Sequence, residues 1–594
     1  MRHEREIKKR RRHAFGGGRL RNAKPSAAHD HVESPLRARI AFMRGILYDG
    51  AMVHSIPMRD LPSVTPLFAD FWQGSEKFSS LVPRHFMRRG VFAEQAHLLS
   101  GASRDRETLV TVLREQNMRF GAGSRTEGAI ARLAQPGSMV VIGGQQAGLF
   151  GGPLYTLHKI ITILLVAERA EKEIGVPVVP VFWIASEDSD LAEIDHTFVT
   201  DREDRLCELR MNGRGDGKLP VSRVRLDEEV AQLIAKLSEA LPAGGATEEV
   251  LAGLRAAYTP GRTYPEAFGA WMTLLFRDAG LVLVDPSDAR LKAMAHGLFE
   301  REIAEKSPVS AAVMKQTAKL MAAGYSPQIE LREGFLTLFY QDPERDAITV
   351  KDSGFQLKSS GRRFTTAELS ALLAESPDLF TPNAVLRPLF QDTLFPTLAV
   401  VLGPSEIAYW AQLTLAYESM GIPMPILFPR SSVTLIENRI ERLRAKLDVG
   451  LRDVVVRGES IIDEILRREI PASLVERIED GKTGAREKWA AIIGEIDRLD
   501  PTLHRTAELG SGRSMHQFDF MEKKIAQAAR KKNLILRGQV GRLVACLAPR
   551  RGLQERTLNA LPFLARVGQD ALLRQIAGAM DPFAAEHRGL VLDP

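Results

Sequence analysis

The most constraining feature of the sequence is a regular alternation of apolar, strand-like runs with helical stretches between about residues 60 and 430. The runs with the length and composition of buried strands are SMVVIGG at 138–144, VPVVPVFWIA at 176–185, GLVLVDP at 280–286, FLTLFY at 335–340, TLAVVLG at 397–403 and MPILFP at 424–429. Such alternation is typical of βαβ units, so we predict an α/β fold with a Rossmann-like core and a mostly parallel sheet. Ligands bind such sheets beyond the carboxyl ends of the strands.

The composition changes after Pro429 to charged, helix-forming residues. Apolar residues then recur at alternating intervals of three and four in two stretches, which start at Trp489 and Phe518. This spacing indicates an all-α antiparallel coiled-coil hairpin, and ordinary packing of two helices is the alternative. The sequence LGSGRS at 509–514 is expected to form the turn. We therefore divide the chain into a catalytic core at 52–430, a coiled-coil arm at 431–548 and a C-terminal segment at 549–594 that returns to the core.

Positive charge is concentrated at the start of the chain. Residues 1–24 contain ten Lys and Arg residues against two Glu, whereas the whole chain has a net charge of +6, so the remainder is close to neutral. We expect residues 1–51 to be a basic, disordered extension rather than a nucleic-acid arm, because blocks of like charge usually stay solvated. No apolar run is long enough to span a membrane, and the two cysteines lack disulfide or metal-ligand spacing. These features favour a cytoplasmic protein without membrane or nucleic-acid partners.

The first stretch that suggests chemistry is VVIGGQQAGLFGGPLYTLHK at 140–159. Its glycines follow a predicted strand, and Pro153 stands where a helix running to about Glu173 is expected to begin. An anion-binding loop is one interpretation, since glycines let a ligand approach the backbone and a helix N-terminus offers free N–H groups; a tight strand–helix connection is the other. The pattern matches neither the dinucleotide motif nor the Walker phosphate loop. The candidate ligand contacts are Gly144, Gln145, Gln146, Gly148, Gly152, Tyr155 and His158, with Lys159 as a candidate catalytic cation.

His158 and Lys159 are neighbours on the predicted helix. Adjacent helical residues do not share a face. We therefore expect one of them to face the site and the other to face solvent.

Carboxylates are concentrated in SEDSDLAEIDH at 186–196, directly after a predicted core strand. Such a cluster at a strand's carboxyl end suits an ammonium group, several hydroxyls or a hydrated Mg²⁺ ion. Helix capping by Asp188 or Ser189 explains some of these acids but not their density. We take Asp188, Asp190 and His196 as candidate catalytic residues, with His196 as a general base, and Glu187 as a candidate substrate ligand.

Two further stretches place polar side chains near strand ends. NAVLRPLFQDTLFPTLAVVLGPSEIAYWAQL at 383–413 contains a second Gly–Pro turn, and PRSSVTLIENRI at 429–440 joins the core to the arm. The candidate ligand contacts here are Arg387, Gln391, Asp392, Glu406, Arg430 and Ser431. Pairing of Arg387 with Asp392, and helix capping by Ser432 or Thr434, are the structural alternatives. No residue is assigned as a metal ligand.

These four stretches, in this order, resemble the bacillithiol biosynthesis cysteine-adding enzymes, a family of cysteine ligases, and the resemblance covers roughly residues 52–594. It implies a Rossmann-like core with inserted connecting segments, a coiled-coil arm and a homodimer. It also implies a reaction that joins L-cysteine by an amide bond to the amino group of glucosaminyl-malate, the last step of bacillithiol biosynthesis. An ATP or ADP site is associated with the family, and Mg²⁺ is a candidate companion of the nucleotide. The acidic motif of the family commonly reads Glu-Asp-His-Asp, and Ser189 replaces its histidine here. If that histidine transfers protons in the relatives, this chain must use His196 or another base.

Two other functions fit the residues without the resemblance. A nucleotidyl- or glycosyltransferase also uses a Rossmann-like core with acids at its strand ends. A non-enzymatic scaffold that dimerises through a coiled coil and senses a metabolite in its pocket is the second alternative. A fold alone does not separate these functions from a ligase.

Overall fold

The computed structural model describes residues 53–62, 64–101, 104–212, 219–468, 471–532 and 534–593. The predicted basic extension at 1–51 lies outside these residues. The strands are β1 (Val53–Pro57), β2 (Met139–Gln145), β3 (Val178–Ile184), β4 (His196–Thr200), β5 (Leu206–Arg210), β6 (Val282–Val284), β7 (Phe335–Gln341), β8 (Arg345–Lys351), β9 (Gly354–Leu357), β10 (Arg363–Phe364), β11 (Phe380–Pro382), β12 (Thr397–Leu402), β13 (Ile426–Pro429), β14 (Ser432–Glu437) and β15 (Glu586–Leu592).

The helices before the arm are α1 (Pro66–Gln73), α2 (Glu76–Ser79), α3 (Val91–Leu99), α4 (Arg106–Arg119), α5 (Ser124–Leu133), α6 (Tyr155–Ile174), α7 (Glu229–Ala240), α8 (Gly245–Ala257), α9 (Tyr264–Leu275), α10 (Ala289–Met294), α11 (His296–Ala304), α12 (Pro308–Ala322), α13 (Thr366–Glu375), α14 (Arg387–Leu394), α15 (Pro404–Trp410) and α16 (Thr414–Met420). Those that follow are α17 (Asn438–Lys446), α18 (Leu451–Arg457), α19 (Ile461–Arg468), α20 (Ala472–Leu499), α21 (His504–Lys532), α22 (Leu534–Leu547), α23 (Gln554–Thr557), α24 (Leu561–Val567) and α25 (Gln569–Ala579). Among the described helices, none is both long and apolar enough to cross a membrane.

A parallel sheet with the strand order β13-β12-β2-β3-β6 forms the centre of the molecule. All seven residues of β3 and all six of β12 are buried, as expected for strands covered by helices on both faces. These strands coincide with five of the predicted runs, so the α/β, Rossmann-like prediction is confirmed. Helix α6 packs against β2 and β3 through an apolar face that includes Ile160 and Ile163.

A second sheet, with the order β10-β9-β8-β7-β11, is antiparallel throughout. It contains the run FLTLFY as β7, which we had expected in the parallel sheet. The partner strand β8 alternates between buried and partly exposed residues, the pattern of a sheet with one covered face. This sheet is inserted between α12 and α14 and stands beside the carboxyl edge of the parallel sheet.

A third sheet joins distant parts of the chain. β15 pairs antiparallel with β1 and parallel with β14. The prediction that Ser432 or Thr434 caps a helix is therefore wrong, because both belong to β14, where Thr434 is fully buried. Helix α24 lies against α8 and β4, and α25 lies against α6 and β15.

The arm is an antiparallel hairpin of α20 and α21, with 28 and 29 residues. The predicted turn at 509–514 is wrong: these residues lie inside α21, and the chain reverses at Pro501–Leu503, where the Asp500 carboxylate accepts from the Thr502 N–H. Gly510 serves packing, since a Cβ there would lie 2.7 Å from the ring of Trp489. Several residues of the predicted seam remain exposed within one chain, and Leu499 is 83% exposed.

Candidate functional site

A cavity of about 950 Å³ opens at the carboxyl edge of the parallel sheet. We define its parallel-sheet wall as the lining residues Gly144, Gln145, Gln146, Lys159, Glu187, Asp188, Gly403, Pro404, Ser405, Glu406 and Arg430. Its antiparallel-sheet wall comprises Phe339, Arg345, Pro382, Asn383, Ala384, Val385 and Arg387. The rim adds Tyr155, Glu193, His196 and Arg556. Parallel strands align their carboxyl ends, which is why residues that follow β2, β3, β12 and β13 meet here.

Lys159 is fully buried at the base of the parallel-sheet wall, with 1% of its side chain exposed. Its Nζ donates to the Gly144 carbonyl at 2.6 Å, to Gln145 Oε1 at 3.0 Å and to Glu406 Oε2 at 2.6 Å. An ammonium group has three donors, so all of them are used within the protein. Burial lowers the pKa of Lys159, while the Glu406 carboxylate opposes that shift.

His158 points away from the cavity. Its ring is fully buried, and Nδ1 lies 2.9 Å from Glu555 Oε2. Burial lowers the pKa of this imidazole. The expectation that one of the neighbours His158 and Lys159 faces the site is confirmed, but neither faces solvent.

The acidic stretch after β3 supplies carboxylates to the cavity. Asp188 Oδ2 accepts from Gln146 Nε2 at 2.7 Å, which joins the ends of β2 and β3. Glu187 lies 2.7 Å from Lys292 Nζ, and burial raises the pKa of its carboxyl. Asp190, a predicted catalytic residue, is instead exposed and outside the cavity lining.

His196 begins β4 and lies on the cavity rim. Its Nδ1 is 2.9 Å from Asp195 Oδ1, which also accepts from Arg210 at 2.6 Å. A carboxylate only accepts hydrogen bonds, so Nδ1 carries a proton, and in the neutral tautomer Nε2 has the free lone pair. This arrangement suits a general base.

The antiparallel-sheet wall carries two guanidinium groups. Arg387 donates to Gln391 Oε1 and to the Tyr409 hydroxyl, both at 3.2 Å. Arg345 stacks on Phe339, 3.9 Å from the ring centroid, and donates to the Pro382 carbonyl at 3.2 Å. Across the described part of the chain, neither guanidinium lies within 4 Å of a carboxylate. The sequence analysis did not identify Arg345, because this residue lies on a strand of the antiparallel sheet, which was not predicted, and belongs to no recognisable motif.

The predicted Arg387–Asp392 pair does not form. The sequence analysis placed Asp392 and Gln391 among the ligand contacts. Both are instead buried behind the wall and are absent from the cavity lining. Asp392 accepts from Gln391 at 2.9 Å and from the Tyr417 hydroxyl, and burial raises its pKa to about 6. Gln391 therefore connects Asp392 to Arg387 and supports the wall from outside.

The glycine loop has the features of a tight connection, although Gly144, Gln145, Gln146 and Tyr155 of the same stretch line the cavity as predicted. The N–H groups of Gly148, Leu149, Gly151 and Gly152 donate to carbonyls within the protein. Gly148 and Gly152 are outside the cavity lining and pack on each other, since a Cβ on Gly148 would lie 2.8 Å from Gly152 Cα. Because these four N–H groups already bond carbonyls, the positive charge in the cavity is supplied by side chains.

Asn559 from the C-terminal segment fixes this loop. Its Nδ2 lies within hydrogen-bond distance of the carbonyls of Phe150 and Gly152 and of Thr197 Oγ1. Pro153 forms a bridge with Asn559, and α6 begins only at Tyr155, so the prediction of Pro153 as the first helical residue is wrong. The loop and the strand that carries His196 are thus held by one side chain.

Arg430 and Ser431 follow β13 and diverge. Arg430 lines the cavity, and its guanidinium Nη2 donates to Glu555 Oε1 at 2.6 Å. Ser431 is outside the lining, and its N–H donates to Thr162 Oγ1. Glu555 and Arg556 had no sequence signal, because they lie in the C-terminal segment without a recognisable pattern.

The cavity is suited to a polyanionic ligand that also carries an amine or hydroxyls, because unpaired guanidinium groups and carboxylates share it. Over the described ranges, no group of three or more His, Cys, Asp or Glu side chains is close enough to hold a metal ion.

Comparisons with known proteins match this architecture. A family model described as the Bacillithiol biosynthesis BshC, N-terminal Rossmann-like domain matches residues 52–431, and one for the C-terminal coiled-coil domain matches residues 433–592. A relative from Salinibacter ruber is 32% identical over 536 residues, which cover 90% of this chain and 98% of the relative. A relative from Koribacter versatilis is 33% identical over 518 residues, which cover 87% and 95%. Both bear the name "Putative cysteine ligase BshC".

Proposed function

Because the chain belongs to the BshC family of bacillithiol biosynthesis, we propose that it is a ligase that joins L-cysteine to glucosaminyl-malate. The new bond is an amide between the cysteine carboxyl group and the amino group of the sugar, and the product is bacillithiol, so this is the last step of the pathway. The observation that carries the proposal is the pair of guanidinium groups, Arg345 and Arg387, that face the cavity without a carboxylate partner among the described residues.

The two guanidinium groups fit the malate part of the acceptor. A malate unit presents two carboxylates, and Arg–carboxylate hydrogen bonds are among the strongest in proteins. Burying an unpaired charge costs free energy, and a bound dicarboxylate removes that cost. We expect Arg345 and Arg387 to hold the malate carboxylates, and Arg556 at the rim to attract them.

The acidic side of the cavity fits the glucosamine part. Glu187, Asp188 and Glu193 line the cavity and suit the sugar hydroxyls and the amine. When the amine attacks the cysteine carbonyl, its nitrogen must lose a proton. His196, with Nδ1–H held by Asp195, accepts that proton at Nε2.

ATP is the proposed co-substrate, and it supplies the leaving group that activates the cysteine carboxyl. Because four N–H groups of the glycine loop are engaged, the phosphates would contact side chains. Arg345 and Arg387 are assigned to malate, so Arg556 at the rim is the candidate for the phosphates. Mg²⁺ would accompany the nucleotide, and Glu193 and Asp188 are lining acids without a cationic partner among the described ion pairs.

We also propose that the protein is a cytoplasmic homodimer. The hairpin exposes apolar seam residues, including Ile492 at 46% and Leu499 at 83%, which a second copy would cover. The cytoplasm keeps the thiols of cysteine and of the product reduced.

The test is direct. Purified protein is incubated with L-cysteine, glucosaminyl-malate and Mg–ATP, and the products are analysed by mass spectrometry. We expect the amide-linked thiol together with either AMP and pyrophosphate or ADP and phosphate, and we expect no product from glucosamine that lacks malate. If the complete mixture yields no amide-linked thiol, the proposal is wrong.

A further inference from the structure

Glu555, in α23, is the centre of a buried network behind the parallel-sheet wall. Only 1% of its side chain is exposed. Four donors, all at least 122 positions away in the sequence, surround its carboxylate: Arg430 NH2 at 2.6 Å, His158 Nδ1 at 2.9 Å, Ser432 Oγ at 2.9 Å and the Val433 N–H at 3.3 Å. Although burial opposes ionisation, Arg430 and His158 hold the pKa of this carboxyl well below its usual range.

Arg430 connects this network to the cavity. Its side chain is 6% exposed, yet it belongs to the cavity lining. One terminal nitrogen donates to Glu555 and the other to the Ser431 carbonyl at 3.1 Å. The guanidinium carbon lies 5.9 Å from the ring centroid of Tyr155, another lining residue. These contacts select one orientation of a long and otherwise flexible side chain.

Two roles for Glu555 predict opposite results. As a mere counter-charge, it lowers the positive potential of the cavity, and its neutralisation would tighten the binding of an anion. As an anchor, it fixes the guanidinium, and its neutralisation would weaken binding because the cation loses its defined position. The separate elements that meet at the carboxylate favour an anchor, since a counter-charge needs no particular geometry.

We infer that Glu555 is a positioning residue, which holds Arg430 in the orientation that presents its guanidinium to the anionic acceptor in the cavity. The inference rests on the proposed function for the identity of that acceptor. It adds a residue from the C-terminal segment to the binding site, without contact between Glu555 and substrate.

The probe is L-malate, titrated into the full chain by isothermal titration calorimetry. Glu555→Gln keeps the shape and removes the charge, and we expect about tenfold weaker binding, the effect of losing one charge-assisted hydrogen bond. Glu555→Asp keeps the charge but shortens the side chain, and it should weaken binding as well. In an Arg430→Gln background, Glu555→Gln should change the affinity less than twofold, because Glu555 acts through Arg430.

Glu302→Gln is the matched control. Glu302 is also fully buried and accepts from Ser307, Val309 and Thr337, but it is outside the cavity lining. The Glu302→Gln substitution should lower the melting temperature without changing the affinity for malate. With glucosaminyl-malate as substrate, Glu555→Gln should raise KM about tenfold and leave kcat within a factor of about two.

The outcomes separate the two proposals. Unchanged or tighter malate binding by Glu555→Gln, or a wild-type chain that does not bind L-malate, overturns the positioning role. Full affinity in a folded Glu555→Asp chain also overturns it. If the wild-type chain binds malate but makes no amide-linked thiol, the proposed reaction fails, while the malate series still decides the role of Glu555.

Discussion

The cationic side chains of the two cavity walls differ in the partners that they bond. On the parallel-sheet wall, Lys159 and Arg430 each bond a carboxylate and are held by further hydrogen bonds. On the antiparallel-sheet wall, Arg345 and Arg387 hydrogen-bond only to neutral groups among the described residues, although the more distant carboxylates of Glu187 and Glu406 favour their charged forms. Each cation of the first wall thus has a directly bonded carboxylate, whereas those of the second wall gain one only when an anion is bound. A cavity built in this way pairs rigid support on one side with free binding capacity on the other.

The comparison also separates activity from stability. Removing a cation that already has a partner leaves a buried carboxylate uncompensated, which destabilises the fold. Removing a cation that bonds only neutral groups leaves no directly bonded carboxylate without its counter-charge, so we expect a smaller loss of stability.

The largest loss of activity is expected for substitutions of Asp188 and His196. Asp188→Ala and His196→Ala should each lower product formation by about 10²- to 10⁴-fold, the range for a lost proton-transfer or orienting group. The melting temperature should change by no more than about 2 °C, because neither side chain fills the core. Asp190→Ala is the matched control and should retain activity, since Asp190 is exposed outside the cavity. A large fall in stability for Asp188→Ala would favour a purely structural role.

The second prediction tests the walls directly. Arg387→Gln should lower kcat/KM about 100-fold, while chemical denaturation finds a smaller loss of stability than for Lys159→Gln, because only the neutral acceptors Gln391 and Tyr409 lose a donor. Lys159→Gln should also reduce activity, but it should cost about 1–3 kcal/mol in the free energy of unfolding, because Glu406 and the Gly144 carbonyl lose their donor. Equal losses of stability in both variants would contradict the distinction between the walls.

The third prediction concerns the ligand. L-malate at about 100 times its Kd should stabilise the wild-type chain by about 2.7 kcal/mol, measured as a rise in melting temperature. Arg345→Gln should remove most of this shift at the same malate concentration. A full shift in Arg345→Gln would place the dicarboxylate elsewhere.

The smallest effect is a pH dependence behind the parallel-sheet wall. His587 is fully buried, bonds Ser432 and Thr434, and burial lowers its pKa from 6.5 to about 4. Between these two values His587 is protonated in the unfolded chain but not in the folded chain. The free energy of unfolding therefore decreases as the pH falls from 6.5 towards 4. At pH 5 the wild type should lose about 2 kcal/mol more, relative to pH 7, than His587→Gln. Parallel urea-unfolding curves for both chains at the two pH values check this.

The parallel sheet and its functional edge were predictable because buried strands give continuous apolar runs, and β3 and β12 show that pattern. Polar residues directly after such strands, including Asp188 and Glu406, necessarily converge on one edge. The same logic placed Gly144, Gln145 and Gln146 at the cavity, but the sequence does not show that Asn559 and Tyr258 bond the backbone of the glycine loop that follows.

The rest of the site depends on contacts that local patterns do not encode. Arg345 reaches the cavity from an antiparallel insertion, and Glu555 meets His158 across 397 positions of sequence. In the arm, heptad spacing predicted the hairpin, but the turn was expected at LGSGRS, where Gly510 packs against Trp489 instead. Spacing specifies an apolar face, whereas the point of reversal depends on Asp500 and Pro501.

The position of Glu555, Asn559 and β15 late in the chain has a consequence for synthesis. Chains are made from the N-terminus, and domains generally fold as their segments emerge from the ribosome. The glycine loop, Arg430 and β1 form these contacts only with partners that are translated later, so a nascent chain that ends before Glu586 lacks β15 and with it the third sheet, and one that ends before Glu555 lacks the anchor of Arg430. The cavity is thus completed only after these later segments have been made, and truncated chains that lack them carry an incomplete binding site.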